Sequence, residues 1–427
     1  MSDLTPQGYR PRLVETCLDN LMRGFGCVEI TGPKWCGKTW TALTRAASVT
    51  RLDAVSDREA AVVDPALALV GDAPHLVDEW QEVPEVWDAC RRAIDELGNR
   101  RGLFLLTGST SLSREQRERV RHTGAGRIAR ISLYPMTLLE MGEVPGGVSI
   151  RRLLKGERPQ PMRCETTIGE VARWCCRGGW PANLGIDDDI AAETSAQYVR
   201  SVVDVNVVDE GRSPVTAMAL LRALAMNESQ AVTRKTLARD MGDVPTVVDE
   251  TVGAYVELFD RLHVTEPLSG WEPPLRSKAR VRVRPKRYFV DPSLAAALLG
   301  ATPGRLMGDM QTLGMLFENL VLRELRVFLS TYGGLGNTVS YYRDDKGLEV
   351  DFIIESGGSW AGIEVKLSDT KVDEAAENLL ALRRKVTSNP LAQAAEPAFL
   401  AVVVGRGALA YQRTDDVWVL PVGSLEP

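Results

Sequence analysis

Short continuous apolar runs alternate along this chain with stretches of helical period. The runs Cys27–Thr31, Val49–Leu52, His75–Val77, Leu103–Thr107 and Ile128–Leu133 are strand-length and bounded by turn or charged residues, which predicts buried strands. A helix is predicted over Lys38–Ala47. Residues 145 to about 210 are mainly helical in pattern, broken by a turn at Arg177-Gly178-Gly179-Trp180-Pro181. Three further helices follow: Ala217–Met226; Thr233–Met241, capped by Thr233; and Pro245–Val264, where Val248, Val252, Tyr255, Val256 and Phe259 recur at helical spacing. The last part opens with an amphipathic helix from Leu316 to about Leu329. Strands over Val339–Arg343, Leu348–Ile354 and Trp360–Lys366 come next.

The first strand runs straight into Gly32-Pro33-Lys34-Trp35-Cys36-Gly37-Lys38-Thr39, with Trp40 next, a match to G-x-x-x-x-G-K-[ST]. Strand, glycine loop and helix in that order are the context this motif needs. Gly32 and Gly37 let the backbone curl so that its N–H groups face phosphate oxygens. Lys38 offers a point charge to the terminal phosphates, Thr39 a hydroxyl ligand for Mg²⁺, and the following helix the positive end of its dipole. The third strand ends in Asp78-Glu79, the order in which a Walker B aspartate holds Mg²⁺ and the glutamate orients an attacking water. In a parallel sheet that end is the ligand edge. The fourth strand leads into Gly108-Ser109-Thr110, and Ser109 is the residue placed to sense a γ-phosphate. Arg127, before the fifth strand, is either a phosphate contact, in its own subunit or in that of a homo-oligomer partner, or a solvated arginine.

Composition changes this picture little. The chain has 427 residues, 44% hydrophobic and 25% charged, with a net charge of -6, which predicts several domains and excludes a wholly basic nucleic-acid binder. No apolar run reaches membrane-span length and no secretory signal is visible at the start. Seven cysteines without a C-x-x-C pair fit reduced thiols in the cytoplasm better than disulfides or zinc. Cys164, Cys175 and Cys176 form a loose group read as packing.

Two segments of the second half carry further chemistry. Arg276 to Arg287 has seven basic residues in twelve. Arg280, Arg282 and Arg284 alternate onto one strand face, and with Arg276 and Lys278 they form either a wing for DNA phosphates or a solvated face. In the last domain Asp351 lies on one strand and Glu364 and Lys366 on the next, with Glu318 on the preceding helix. Converging carboxylates suit a hard divalent ion.

The phosphate loop, the Asp78-Glu79-Trp80-Gln81-Glu82-Val83-Pro84 stretch, the Leu106-Thr107-Gly108-Ser109 step and the Gly126-Arg127…Leu133-Tyr134-Pro135-Met136 passage follow one another. Together they resemble an uncharacterised family of bacterial and archaeal AAA-type ATPases. Its C-terminal domain of unknown function (4143 type) is related to PD-(D/E)xK nucleases. The resemblance implies ATP binding and hydrolysis on an α/β core with a helical lid. It covers the first third well, recurs near the end and matches the middle only in outline. The helix, strand, Asp-strand and E-x-K strand of the last domain are similar to the nuclease core, with Val350 where that core often has proline. In that chemistry Asp351 and Glu364 would bind Mg²⁺, Lys366 would steady the attacking water or the phosphate, and Glu318 would assist.

The expected fold class is therefore α/β: an AAA-type parallel sheet (1–145), a helical lid (146–212), a winged-helix-like module with a basic wing (213–300) and a nuclease-like α/β domain (301–427). The three middle helices resemble a winged helix-turn-helix, although Asp249, Glu250 and Glu257 make the third a poor DNA reader. Two functions stay open. One is an ATPase governing a DNA-acting nuclease domain. The other is a nucleotide-dependent switch whose C-terminal domain binds a protein and does not cut.

Overall fold

A computed structural model describes residues 4–110, 112–242, 249–271, 284–334, 336–388 and 396–427. Arg276, Lys278, Arg280 and Arg282 of the basic stretch, and the start of the predicted Pro245–Val264 helix, lie outside the described residues. The chain is mixed α/β and divides into two compact units. The first runs through Met136 and takes in Arg261–Val264; the second holds Thr137–Asp260 and Thr265–Pro427.

The first unit is built on a parallel sheet of β1 (Cys27–Thr31), β2 (Ser48–Arg51), β3 (His75–Asp78), β4 (Phe104–Gly108) and β5 (Ile128–Ser132), in the order β2-β3-β4-β1-β5. Successive side chains point to opposite faces, and both faces are covered. Val28, Ile30, Leu76, Leu105 and Ile131 pack into one cluster with Val14, Leu18 and Ala42, while Cys27, Val77, Phe104 and Leu106 pack into another with Trp80, Trp87 and Ile94. This is why the strands read as continuous apolar runs. The helix after the phosphate loop ends at Leu43, shorter than its apolar pattern predicts, and just beyond it Ala46 N donates to Ala42 O at 3.1 Å.

The second unit centres on a sheet whose first three strands, Thr338–Arg343, Glu349–Ser356 and Ser359–Ser368, form an antiparallel meander. Helix Val372–Thr387 then leads to Phe399–Gln412, which pairs parallel to Ser359–Ser368. Helix Met310–Ser330 packs against the meander. The far half of Phe399–Gln412 pairs antiparallel with Met162–Thr166, a strand inside the stretch whose pattern reads as helical. Helices Pro214–Met226, Arg234–Asp240 and Asp249–Arg261 are followed by an antiparallel pair, Thr265–Leu268 with Lys286–Phe289.

A fully buried ion network ties distant segments of this unit. Arg323 donates to Asp291 and to Glu324, at 2.8 Å each. Asp291 also accepts from Gly179 N at 2.9 Å, and Glu324 accepts from Leu138 N at 3.1 Å. At the turn Arg177–Pro181, Gly178 has φ 71° and a Cβ there would meet Ser293 Oγ at 2.4 Å, so glycine is required for this approach. The indole of Trp180 donates to Ser293 Oγ at 2.9 Å and stacks on Tyr198. All seven cysteines are buried free thiols. Among the described residues no helix is long and apolar enough to cross a membrane.

Candidate nucleotide site and a carboxylate–lysine centre

The loop leaving β1 is shaped by three left-handed residues. Gly32 has φ 144° and Gly37 φ 97°, and Trp35 adopts φ 66°. A Cβ on Gly32 would stand 2.1 Å from the Leu133 carbonyl oxygen, so only glycine lets β1 pass β5 here. Cys36 is buried beneath the loop, its thiol donating to Leu133 O at 3.3 Å and its own carbonyl accepting from Arg12 at 2.7 Å. Trp35 within the loop and Trp40 just after it are about half exposed, at 49% and 46%. The Lys38 ammonium is buried and donates to the carbonyls of Gly32 (3.0 Å) and Pro33 (2.7 Å). Lys34 lies in the same turn.

The acidic pair of β3 completes the constellation. One oxygen of Asp78 accepts from the Thr39 hydroxyl at 2.8 Å and from the Thr107 hydroxyl of β4. Burial raises the Asp78 pKa, and the two hydroxyls pull against that rise. Glu79 sits in the left-handed region at φ 55°, which turns its carboxylate toward Ser109. Its Oε2 accepts from Ser109 Oγ at 3.0 Å, Ser109 N at 3.3 Å and Gln81 at 2.5 Å. Lys38, Thr39, Asp78, Glu79 and Ser109 therefore gather at the C-terminal edge of the sheet, as the motif order predicts. Arg127 does not join them. Its carbonyl accepts from Cys27 N, at the start of β1 and so at the opposite edge, and its guanidinium pairs with Asp95 at 2.8 Å. Within its own chain it is an exposed ion-pair partner, because the residue before a parallel strand begins at the edge away from the ligand loops. Arg130 of β5 instead pairs with the buried Glu29 of β1 at 2.6 Å, and Glu29 also accepts from Trp80 at 3.0 Å.

In the second unit, Phe352 lies opposite Ile363, which puts Asp351 level with Glu364 on the neighbouring strand. Glu364 and Lys366, two residues apart, share that face. The Lys366 ammonium lies 2.5 Å from Glu364 and 3.7 Å from Asp351, and Asp351 also accepts from Val365 N at 2.8 Å. Burial and the nearby Asp351 charge push the Glu364 carboxyl well above the usual range, against the pull of Lys366. Glu318, on helix Met310–Ser330, is bound by Tyr288 at 2.6 Å and by Lys286 at 3.2 Å. Burial raises its pKa too. Lys286 reaches Glu349 as well, at 2.8 Å. Its burial disfavours the charge, but Glu318, Asp351 and Glu349 outweigh that and keep the ammonium protonated. Among the described residues no group of three or more His, Cys, Asp or Glu side chains is arranged to hold a metal ion.

Three family models match the chain in sequence: an AAA domain over residues 25–142, the domain of unknown function DUF8612 over 168–305, and the domain of unknown function DUF4143 over 313–425. The first spans the phosphate loop, Asp78-Glu79 and Ser109. The chain carries an AAA-type ATPase domain. Its C-terminal part is a DUF4143 domain. Two curated relatives, uncharacterized proteins of Mycobacterium bovis and Mycobacterium tuberculosis, are each 26% identical over 352 residues, covering 80% of this chain and 70% of theirs. Among solved structures, a Walker-type ATPase of Pyrococcus abyssi is similar over 70% of this chain and 98% of its own, at 12% identity and a TM-score of 0.45. The Aeropyrum pernix ORC1 protein, solved in complex with DNA, is similar over 70% of this chain and 94% of its own, at 12% identity and a TM-score of 0.27.

The residues of the ATPase domain fit a nucleotide with Mg²⁺. Thr39 and Asp78 offer hard oxygen donors side by side, and the Gly32 turn leaves room a side chain would fill. Three contributors escape a motif reading. Thr107 orients Asp78 but stands inside an apolar strand, where it reads as a filler. Lys286 and Tyr288 serve the second centre from a strand that precedes its helix, and the basic run around Lys286 disguises it as surface charge. Its alternation with Tyr288 was the available signal, since both then face one side.

Proposed function

We propose that the chain binds and hydrolyses ATP with Mg²⁺ at Lys38, Thr39, Asp78 and Glu79, and that hydrolysis governs a nuclease-like C-terminal domain. One observation carries the first half: a single Asp78 oxygen is shared by the hydroxyls of Thr39 and Thr107 while Ser109 holds the adjacent Glu79. Mg²⁺ held by Thr39 and Asp78 would neutralise charge between the β- and γ-phosphates. The backbone of Gly32 to Thr39 cradles the phosphates. Lys38 exchanges its two carbonyl partners for phosphate oxygens. Glu79, released from Ser109, orients the attacking water, and the freed Ser109 hydroxyl faces the terminal phosphate. Arg127 acts on phosphate only if it is supplied in trans by a second copy.

For the C-terminal domain, the meander, crossover helix and parallel strand support a PD-(D/E)xK-like core, with Asp351, Glu364, Lys366 and Glu318 converging on it. A divalent ion there would take two carboxylates and keep several waters. The three helices followed by a strand pair support a winged-helix-like module, and Arg284, at the start of the described part of its basic stretch, is a candidate DNA contact. Cleavage of single-stranded DNA, duplex DNA and RNA with Mg²⁺ or Mn²⁺ tests this. Cleavage that Asp351→Ala lowers at least ~100-fold is the expected result. An inactive wild type on all three substrates contradicts it.

A switch that binds a protein partner is the second reading. It is favoured by the two lysines, Lys286 and Lys366, which already pair with Glu318, Glu349, Asp351 and Glu364. Such internally neutralised carboxylates hold a fold together without an ion. ATP turnover measured with and without DNA separates the readings: stimulation supports the nuclease-like coupling, and indifference supports a protein partner.

A further inference from the structure

The orientation of the Cys36–Gly37 peptide in the phosphate loop is not fixed by its own residues. Gly37 has φ 97°, a region that glycine enters as readily as the ordinary one, so the backbone alone would let this peptide flip. Its two sides are chemically opposite, because in a planar trans peptide the C=O and the N–H point in opposite directions. One orientation offers the Gly37 N–H to an anion. The flipped one offers the Cys36 carbonyl oxygen, which repels it.

Arg12 selects between the two. Its guanidinium is buried; Nη1 donates to Cys36 O at 2.7 Å and Nη2 to Tyr134 O, just past β5, also at 2.7 Å. Both bonds are charge-assisted, and the planar fork fixes their directions. The Gly37 N–H therefore points away from Arg12. A carbonyl that accepts a hydrogen bond also polarises the N–H of its own peptide and strengthens it as a donor. Arg12 is itself held in place. Its backbone N donates to Glu15 Oε1 at 2.7 Å, and the Tyr9 hydroxyl donates to the same oxygen at 2.5 Å. Glu15 in turn pairs with Arg45 at 2.8 Å, and the Tyr9 hydroxyl lies 3.3 Å from Thr41 Oγ1 of helix Lys38–Leu43. The turn that carries Arg12 is thus fastened to the helix that follows the loop.

We propose that Arg12 is a positioning residue of the nucleotide site: by holding the Cys36 carbonyl at the back of the loop, it keeps the Gly37 N–H turned toward the phosphates. This rests on the reading of Gly32–Thr39 as the ATP site. Arg12 acts through the peptide and not by touching the nucleotide. ATP and ADP share the phosphates that the loop backbone cradles, so both feel its loss.

The sequence contains a single Cys-Gly step, so full-length protein labelled with ¹³C′-cysteine and ¹⁵N-glycine gives one carbonyl–amide correlation, that of Gly37. In Arg12→Gln this peak is expected to move. Calorimetric titration of the same variant should find ATP and ADP, each with Mg²⁺, bound about 10-fold more weakly than by the wild type, the scale of one hydrogen bond to a charged group. Inorganic pyrophosphate, which has neither base nor ribose, should lose a similar factor. Arg12→Lys keeps the charge without the fork and should fall between; it carries the test if Arg12→Gln does not fold. Nucleotide affinity within twofold of wild type in the variants that fold overturns the proposal and leaves the ATP site standing, even where their melting temperature falls, which marks a merely structural role. An unmoved Gly37 peak also overturns it. So does a loss for ATP that pyrophosphate does not share, since that places the effect away from the phosphates. A wild type that binds neither nucleotide overturns the ATP site itself, and the role of Arg12 with it.

Discussion

Lys38→Ala is expected to reduce Mg²⁺-dependent ATP turnover at least ~100-fold, the scale on which loss of one preorganised charge at a transferring phosphoryl group is felt. The side chain is buried and spends its ammonium on the carbonyls of Gly32 and Pro33, which curl the loop into its phosphate-binding shape. Alanine removes both the charge offered to the terminal phosphates and the brace on the loop. The strands beneath are untouched, because Val28, Ile30 and Leu105 pack independently of it. Thermal unfolding should therefore change little while turnover falls. Phosphate release by the purified variant beside the wild type measures the effect. Turnover within threefold of wild type would mean that the loop is not where ATP reacts.

Arg323→Met is expected to destabilise the second unit by about 3–5 kcal/mol, the cost of removing one partner from a buried ion network. The guanidinium is fully buried and is the shared cation for Asp291 and Glu324. Those two acids in turn fix Gly179 and Leu138, so the network joins the starts of segments far apart in sequence. Methionine matches much of the volume, which separates the electrostatic loss from a cavity. The pH dependence has a defined sign. Burial raises the Glu324 carboxyl to about 7, against the pull of Arg323. A carboxyl whose folded pKa lies above its unfolded value binds more protons when folded, so its contribution to stability is lost as pH rises from about 4.5 to about 7. Without Arg323 the folded pKa rises further, and the variant should lose more stability at pH 8 than at pH 5.5. Urea unfolding at the two pH values reads both effects. A loss below ~1 kcal/mol at pH 8 would refute the network's role.

How much of this was legible beforehand follows from the range of each interaction. The five strands of the first sheet appear as apolar runs because both sheet faces are buried, and the phosphate loop is local in sequence. Asp78 and Glu79 could be placed because the strand end that carries them is the ligand edge. Arg127 was ambiguous from its neighbours alone. Its place directly before β5, which runs parallel to β1, puts it at the edge opposite the ligand loops. Met162–Thr166 alternates over only five residues inside a stretch of helical pattern, and it becomes a strand by pairing with one more than two hundred residues later. Asp351, Glu364 and Lys366 were read as a group with Glu318; the first three lie in ion-pair contact, while Glu318 is held by Lys286 and Tyr288. Lys286 and Tyr288 were not in that group, since they enter from a strand pair whose intervening sequence reads as a basic run.

The central claim is that Asp78-Glu79 and the phosphate loop form a working ATPase site. Steady-state phosphate release with ATP and Mg²⁺, by the wild type and by Glu79→Gln in parallel, tests it most directly. Glutamine keeps the shape but cannot draw a proton from the attacking water, so the account predicts steady hydrolysis by the wild type and a fall of about 100-fold or more in Glu79→Gln, with ATP still bound. Equal rates in the two proteins would contradict it.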